Sequence, residues 1–106
     1  MFARLVKTSV KAGHVTEFNQ KFEQQVLPML RKAKGFRNAI TFIGAGGTEG
    51  VSLTLWDLKE DAEAYNSTTY PEVLKALSTV IEGSPHVKTY DVTSSTFEKI
   101  AAHAAV

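Results

Sequence analysis

Phe2, Val6 and Val10 share one parity of the N-terminal segment while Ala3 and Leu5 take the other, which predicts a strand over 2–10 with apolar contacts on both faces. Lys11-Ala12-Gly13 ends it. From His14 to Lys34 the pattern changes: Val15, Phe18, Phe22, Val26, Met29, Leu30 and Ala33 recur every three or four residues, the stripe of a helix laid on a core. Gly35 supplies the stop, and Arg31, Lys32 and Lys34 put positive charge at the negative end of the helix dipole. Pro28 lies inside the stripe. It removes a backbone donor and crowds the carbonyl four residues earlier, at ~3 kcal/mol for a straight helix, so a kink or break is expected between Gln24 and Pro28.

Residues 36–43 and 50–56 are rich in β-branched and aromatic side chains and are separated by Gly44-Ala45-Gly46-Gly47-Thr48-Glu49, which predicts an antiparallel hairpin. Asp57-Leu58-Lys59-Glu60 has the acceptor and reciprocal Glu of a capping box, opening a short helix with Ala62 and Tyr65 that Asn66-Ser67-Thr68 interrupts. A second cap at Thr69, with Pro71 in the first turn and Glu72 after it, leads into Val73, Leu74, Leu77, Val80 and Ile81 as one apolar helical face. Gly83 and Pro85 end that helix, and 86–96 is the last strand, with Val87 on one parity and Tyr90 and Val92 on the other. Residues 97–106 are a C-terminal extension, either helical turns through Phe97 and Ile100 or a tail.

The order is strand, helix, strand, strand, split helix, strand. This is the α+β, ferredoxin-like βαββαβ arrangement, in which both helical segments cover one face of a four-stranded antiparallel sheet. The uncovered face should then alternate to polar residues. It does not: Phe36, Ile40 and Phe42 share one parity of the second strand, and Val51, Leu53 and Leu55 lie opposite Trp56 on the third. A patch that large is uncommon on a monomer, and at ~25 cal/mol per Å2 leaving it in water forfeits kilocalories. A second copy packed sheet to sheet would bury it, so a homodimer joined through the sheet faces is expected.

Length and composition narrow the classes. At 106 residues, 43% hydrophobic and 22% charged, the chain is one domain over 1–106. With no cysteine, disulfide scaffolds, iron-sulfur proteins and thiol enzymes fall away. A net charge of +1 without a Lys/Arg cluster leaves no footprint for nucleic acid or an anionic membrane. The apolar runs are far shorter than the ~20 residues of a membrane span, and the N-terminus lacks a signal-peptide core, so the expected location is the cytoplasm. His14, His86 and His103 are scattered, with no carboxylate at metal spacing, and no metal is expected. Gly44-x-Gly46-Gly47-x-x-Gly50 lacks the Lys-Ser/Thr ending of a phosphate loop and leads into a strand, and no Gly-x-Ser-x-Gly elbow exists.

Trp56 followed by Asp57-Leu58-Lys59-Glu60-Asp61-Ala62-Glu63-Ala64-Tyr65, then Tyr70, then the tract from Ile81 to Val92, resembles the antibiotic biosynthesis monooxygenase family of dimeric α/β barrels. The passage from Leu27-Pro28 through Gly35-Phe36 is similar to the family's step from first helix to second strand. The resemblance implies two ferredoxin-like protomers joined through their sheets, each with a cavity between sheet and helices. Some members oxidise phenolic polyketides, anthrones or quinols with molecular oxygen and neither metal nor flavin; others degrade heme; many have no assigned activity. Where oxygenases of the family carry an Asn four residues before the Trp, this chain has Ser52. Where heme-degrading relatives carry a His about ten residues after the Trp, it has Asn66.

Trp56 shares its parity with Thr54 and Ser52, so one side of the strand presents an indole and two hydroxyls able to hold a flat, polar-edged ring. Trp56 could instead be a core aromatic whose N–H finds a backbone carbonyl. Tyr65 and Tyr70 flank the break between the two helical pieces and offer phenols at a cavity mouth, or else pad the interface. Phe22 lies on the inner helix face beside Phe18. His14 is a proton acceptor only if the fold brings it to the cavity. The expected function is a cofactor-independent monooxygenase acting on a small electron-rich aromatic such as a quinol or anthrone, with Trp56 and Ser52 catalytic, Thr54, Phe22, Tyr65 and Tyr70 ligand-binding, and no cofactor. The alternative is a non-catalytic dimeric barrel of the stress-responsive type that binds a small hydrophobic metabolite.

Overall fold

The computed structural model describes residues 1–96, so the extension over 97–106 lies outside the described residues. Strands β1 (Phe2–Val10), β2 (Phe36–Ile43), β3 (Glu49–Trp56) and β4 (Ile81–Asp91) form one antiparallel sheet in the order β2-β3-β1-β4. Helices α1 (Val15–Lys21) and α2 (Leu27–Lys32) are joined by a π-helical turn over Phe22–Val26, and α3 (Lys59–Thr68) is followed by α4 (Tyr70–Leu77). The ferredoxin-like α+β arrangement expected from the pattern is the one found.

Register fixes which residues meet the helices. Phe2 pairs with Trp56, Arg4 with Thr54, Val6 with Ser52 and Thr8 with Gly50, so these share one face. Against it pack Phe18, Phe22, Val26 and Leu30 from the first helical segment and Ala62, Tyr65, Val73 and Leu77 from the second. On the other face Ala3 and Leu55 form a small separate cluster with Met1, Leu53 and Val92. Ile40, Phe42 and Tyr90 on that side are 40%, 52% and 49% exposed, so the described residues leave an apolar area open there.

Four local expectations are corrected, and the disruption expected near Pro28 is found. A π turn, with the Leu27 N–H donating to the Phe22 carbonyl, moves the hydrogen-bond ladder on by one residue and places Pro28 in the first turn of α2, where its missing donor costs little. Asp57 does not serve as the cap residue of α3, a position taken by Leu58; its carboxylate receives both Nε and Nη2 of Arg37. Asn66-Ser67-Thr68 do not interrupt α3, because the Ser67 and Thr68 hydroxyls bond back to the carbonyls of Glu63 and Ala64 and stay inside the helix. Phe36 is not on the open face: a register shift between Phe36 and Asn38 turns its ring towards Trp56, 5.6 Å away and edge-on.

The last correction concerns β4. Val80 and Ile81 continue the apolar spacing of α4, but the helix ends at Leu77 and the strand begins at Ile81, opposite Val10. A second register shift, between Lys7 and Ser9, lets Gly83, Ser84 and Pro85 sit within the strand. An outer strand tolerates Pro at such a bulge because no ladder donor is lost.

Candidate active site

Trp56 ends β3 and is fully buried, with its N–H donated to the Thr54 hydroxyl at 2.9 Å. The acceptor is a side chain two residues earlier on the same strand, not a backbone carbonyl. Thr54 in turn donates to the Arg4 carbonyl across the β1–β3 pair at 3.4 Å. The indole is thus anchored from β3 itself and packed between Phe36 and Tyr65, whose ring centroid lies 5.1 Å away. Tyr65 is followed by Tyr70 at 6.3 Å, which makes an aromatic row from β2 through β3 to the α3–α4 junction.

The row ends on a cation. Arg4 projects from β1 into this face and is 3% exposed. Its guanidinium carbon lies 4.1 Å from the Tyr70 ring centroid and 5.3 Å from that of Tyr65, and its Nη2 donates to the Asn66 side-chain oxygen at 2.8 Å. Among the described residues that is its only side-chain hydrogen bond of good geometry, and no carboxylate pairs with it. Two cation–π contacts at ~0.5–2 kcal/mol each recover part of a desolvation cost of several kcal/mol, not all of it. Burial draws the Arg4 pKa below the usual arginine range, with the two tyrosines opposing that fall. Burial pushes Tyr65 up to about 12 against the pull of Arg4. Burial raises Tyr70 too, opposed by the charge of Arg4 and by its donors nearby. Arg4 stands over the Tyr70 ring, and among the described residues the buried Tyr70 oxygen has no hydrogen-bond partner of good geometry, a costly state for a polar atom in a native interior.

Between this row and the helices lies an interior cavity of about 40 Å3, whose walls include Arg4, Ser52, Thr54, Phe22, Tyr65 and Tyr70. Five of the six site residues expected from the sequence therefore meet around one space. Trp56 stands behind it, buried and outside the lining. Ser52 accepts a long hydrogen bond from the Thr41 hydroxyl, 3.4 Å, leaving its own proton to donate. Phe22 sits on the π turn, where it packs against Phe18 at 6.1 Å and forms part of the wall. His14 is not brought to the cavity: it starts α1 at the surface, 3.1 Å from Glu17. Among the described residues no cluster of metal-ligating side chains occurs, and no helix is long and apolar enough to cross a membrane.

Arg4 was not singled out by sequence reasoning. The signal was there: a lone charge on the parity of Phe2, Val6 and Val10, where Thr8 is the one other polar side chain of the strand.

Two outer clefts adjoin the cavity. One, of about 410 Å3, runs between α4 and the Gly83–Pro85 bulge and shares Tyr70, Leu74 and Pro85 with it. The other, of about 330 Å3, lies between α3 and β4 and shares Arg4. The two polar side chains of greatest interest are thus also partitions. What the arrangement can do chemically is hold negative charge on oxygen in a small, mostly apolar space.

Solved structures place the same architecture in known company. A monooxygenase, ActVA-Orf6 from Streptomyces coelicolor, solved with the ligand nanaomycin D, superposes with a TM-score of 0.76 over 91% of this chain and 90% of its own, at 18% identity. SnoaB, a cofactor-independent oxygenase from Streptomyces nogalater, gives 0.74 over 92% and 97%, at 12% identity. Rv0793 from Mycobacterium tuberculosis gives 0.69 over 90% and 97%, at 12% identity. At such identities the likeness is one of fold. Among curated proteins none matches in sequence. The sequence profile described as antibiotic biosynthesis monooxygenase matches residues 1–91, nearly the whole of the described chain. The chain belongs to the antibiotic biosynthesis monooxygenase family.

Proposed function

We propose that this protein is a cofactor-independent monooxygenase that acts on a small electron-rich aromatic, such as a quinol or anthrone, as a cytoplasmic homodimer joined through the open sheet faces. The observation that carries the reading is the buried Arg4 guanidinium, which no carboxylate of the described residues pairs, beside a Tyr70 hydroxyl that likewise finds no partner of good geometry among them, both in the cavity wall. Preorganised donors in a water-excluded space stabilise an oxyanion far better than water does. For an anthrone, loss of one C–H proton gives an enolate whose oxygen faces Arg4 and Tyr70. The enolate passes an electron to molecular oxygen, the radical pair forms a C–O bond, and loss of water with the second C–H hydrogen leaves the ketone. One methylene group and one dioxygen molecule thus give one carbonyl group and one water. Ser52 and Thr54 offer hydroxyls to the polar edge of the ring, and Trp56 acts through Thr54, holding its oxygen in place.

Open apolar positions on the other face support the dimer: Ile40, Phe42 and Leu53 would be covered by the same face of a second copy. Sedimentation at micromolar concentration is expected to give about twice the 11.6 kDa of one chain, and Leu53→Lys to reduce it to one. A lone particle in the wild type contradicts the dimer.

A second reading is favoured by one specific observation. The cavity is well below the ~300–1,000 Å3 of ordinary ligand sites, and Ser52 stands where oxygenases of the family carry an Asn; a barrel that only binds a small hydrophobic metabolite fits both. Oxygen uptake with a panel of quinols and anthrones separates the two. Uptake with at least one compound, lowered ~100- to 1,000-fold in Arg4→Met, is the expected result. Tight binding without uptake from any compound overturns the oxygenase reading.

A further inference from the structure

Among the described residues, Arg4 is the one charged side chain in the walls of the interior cavity. Everything else there is hydrocarbon, hydroxyl, backbone or ring: Phe22, Val26 and Leu77 on the apolar side, and Ser52, Thr54 and Tyr70 on the polar side. No carboxylate, imidazole or amine of the described residues lines it. Both wall tyrosines titrate above their ordinary range, so neither supplies a phenolate to balance Arg4 near neutrality. The remaining groups around the guanidinium give no counter-charge either. Asn66 of α3 is neutral, Thr89 faces Arg4 from β4, and Lys59 and Glu63 of α3, which border the adjoining cleft, pair with one another at 3.8 Å. Asp91, on the same strand face as Thr89, is exposed and makes no ion pair with Arg4. A buried cation with spare donors and an orphaned hydroxyl beside it is a half-site, and the half it lacks is an anion.

We propose that the cavity takes its ligand already ionised, as a planar aromatic monoanion (a carboxylate, phenolate or enolate) with the charged oxygen on Arg4 and Tyr70, and that the walls neither remove nor return a proton. This deepens the oxygenase reading by naming the substrate class: aromatics acidic enough to lose a proton in solution, whose own ionisation, not a protein base, sets the pH dependence. The charge selectivity itself stands without turnover. Space for the ring comes from the outer cleft between α4 and the Gly83–Pro85 bulge, which shares Tyr70, Leu74 and Pro85 with the interior cavity; a shift of the Leu74 side chain joins the two into a volume within the usual ligand range and leaves the Tyr70 hydroxyl beside Arg4.

Calorimetry with three probes of one shape tests this: 2-naphthoate, 2-naphthylmethanol and 2-naphthylmethylammonium. The wild type is expected to bind the carboxylate at least ~10-fold more tightly than the alcohol and the ammonium least of all. In Arg4→Met the carboxylate preference disappears while the alcohol still binds, which shows that the pocket is intact. Arg4→Lys retains the sign of the preference with a smaller ratio, and keeps the test readable if the Met variant fails to fold. Between about pH 6 and about pH 9 the affinity for 2-naphthoate stays flat, whereas that for 2-naphthol rises with the naphthol's own ionisation. Equal binding of carboxylate and alcohol by the wild type, or a carboxylate preference that survives in Arg4→Met, overturns the proposal. Oxygen uptake without charge preference would remove this inference and leave the oxygenase reading; charge preference without uptake would do the reverse.

Discussion

Arg4 and Arg37 sit on strands of the same sheet and are treated in opposite ways. Arg37, on the outer strand β2, is one-third exposed at its side chain and meets both oxygens of Asp57 through Nε and Nη2. Asp57 holds its guanidinium protonated still more firmly than usual. Arg4, on the central strand β1, is almost wholly buried and is given two ring faces and an amide oxygen, but among the described residues no carboxylate. The chain has acidic residues to spare and places one where an arginine is cheap to solvate, not where it is costly. That inversion is what the proposed anion site rests on: a structural arginine is neutralised by its own fold, whereas a binding arginine is positioned and left for its ligand to neutralise.

The contrast can be sharpened through the residues that hold Arg4. Tyr65 lies between Trp56 and the guanidinium, and its burial keeps it neutral to about pH 12. Its folded-state pKa is raised above the unfolded value, so its contribution is complete below about pH 10 and is lost as pH climbs towards 12. Over that window the wild type is expected to lose on the order of 2–3 kcal/mol that Tyr65→Phe does not lose, as read by urea unfolding at a series of alkaline pH values. Parallel losses in the two proteins would show that Tyr65 ionises freely.

Thr54→Val is expected to cost about 1–3 kcal/mol, because it strands the buried Trp56 N–H while keeping the side-chain shape. A red-shifted, broadened Trp56 emission would accompany it; an unchanged spectrum and stability would show that the indole finds another acceptor. The smallest effect belongs to Arg37→Ala. Its unfolding midpoint is expected to approach that of wild type as salt is added, since an exposed ion pair is screened, and its ligand binding to be unaltered. A change in 2-naphthoate affinity in Arg37→Ala would erase the distinction between the two arginines.

Much of this was legible in the residues. Period-2 and period-3.6 patterns gave the element order, and the parity of β3 alone separated Ser52, Thr54 and Trp56 from Val51, Leu53 and Leu55. What escaped depends on events that periodicity does not encode. The bulge at Arg37 turned Phe36 to the core, and the disruption expected near Pro28 took the particular form of a π turn. The hydroxyls of Ser67 and Thr68 kept α3 going, and Val80-Ile81 matched a helical face although a turn and strand bury them. Arg4 escaped for a different reason: a charge in a strand reads as solvent-facing until register places it opposite Thr54, and only three-dimensional packing shows that no acid of the described residues meets it.

Urea unfolding of the unliganded wild type beside Arg4→Met bears most directly on the central claim, that the fold holds Arg4 buried without compensating its charge. The account expects Arg4→Met to be as stable as the wild type or more stable by about 1–4 kcal/mol, because an apolar side chain replaces an ion that its surroundings do not neutralise. A loss of about 3 kcal/mol or more would mean that Arg4 is a keystone of the fold, and would contradict its assignment as an open anion site.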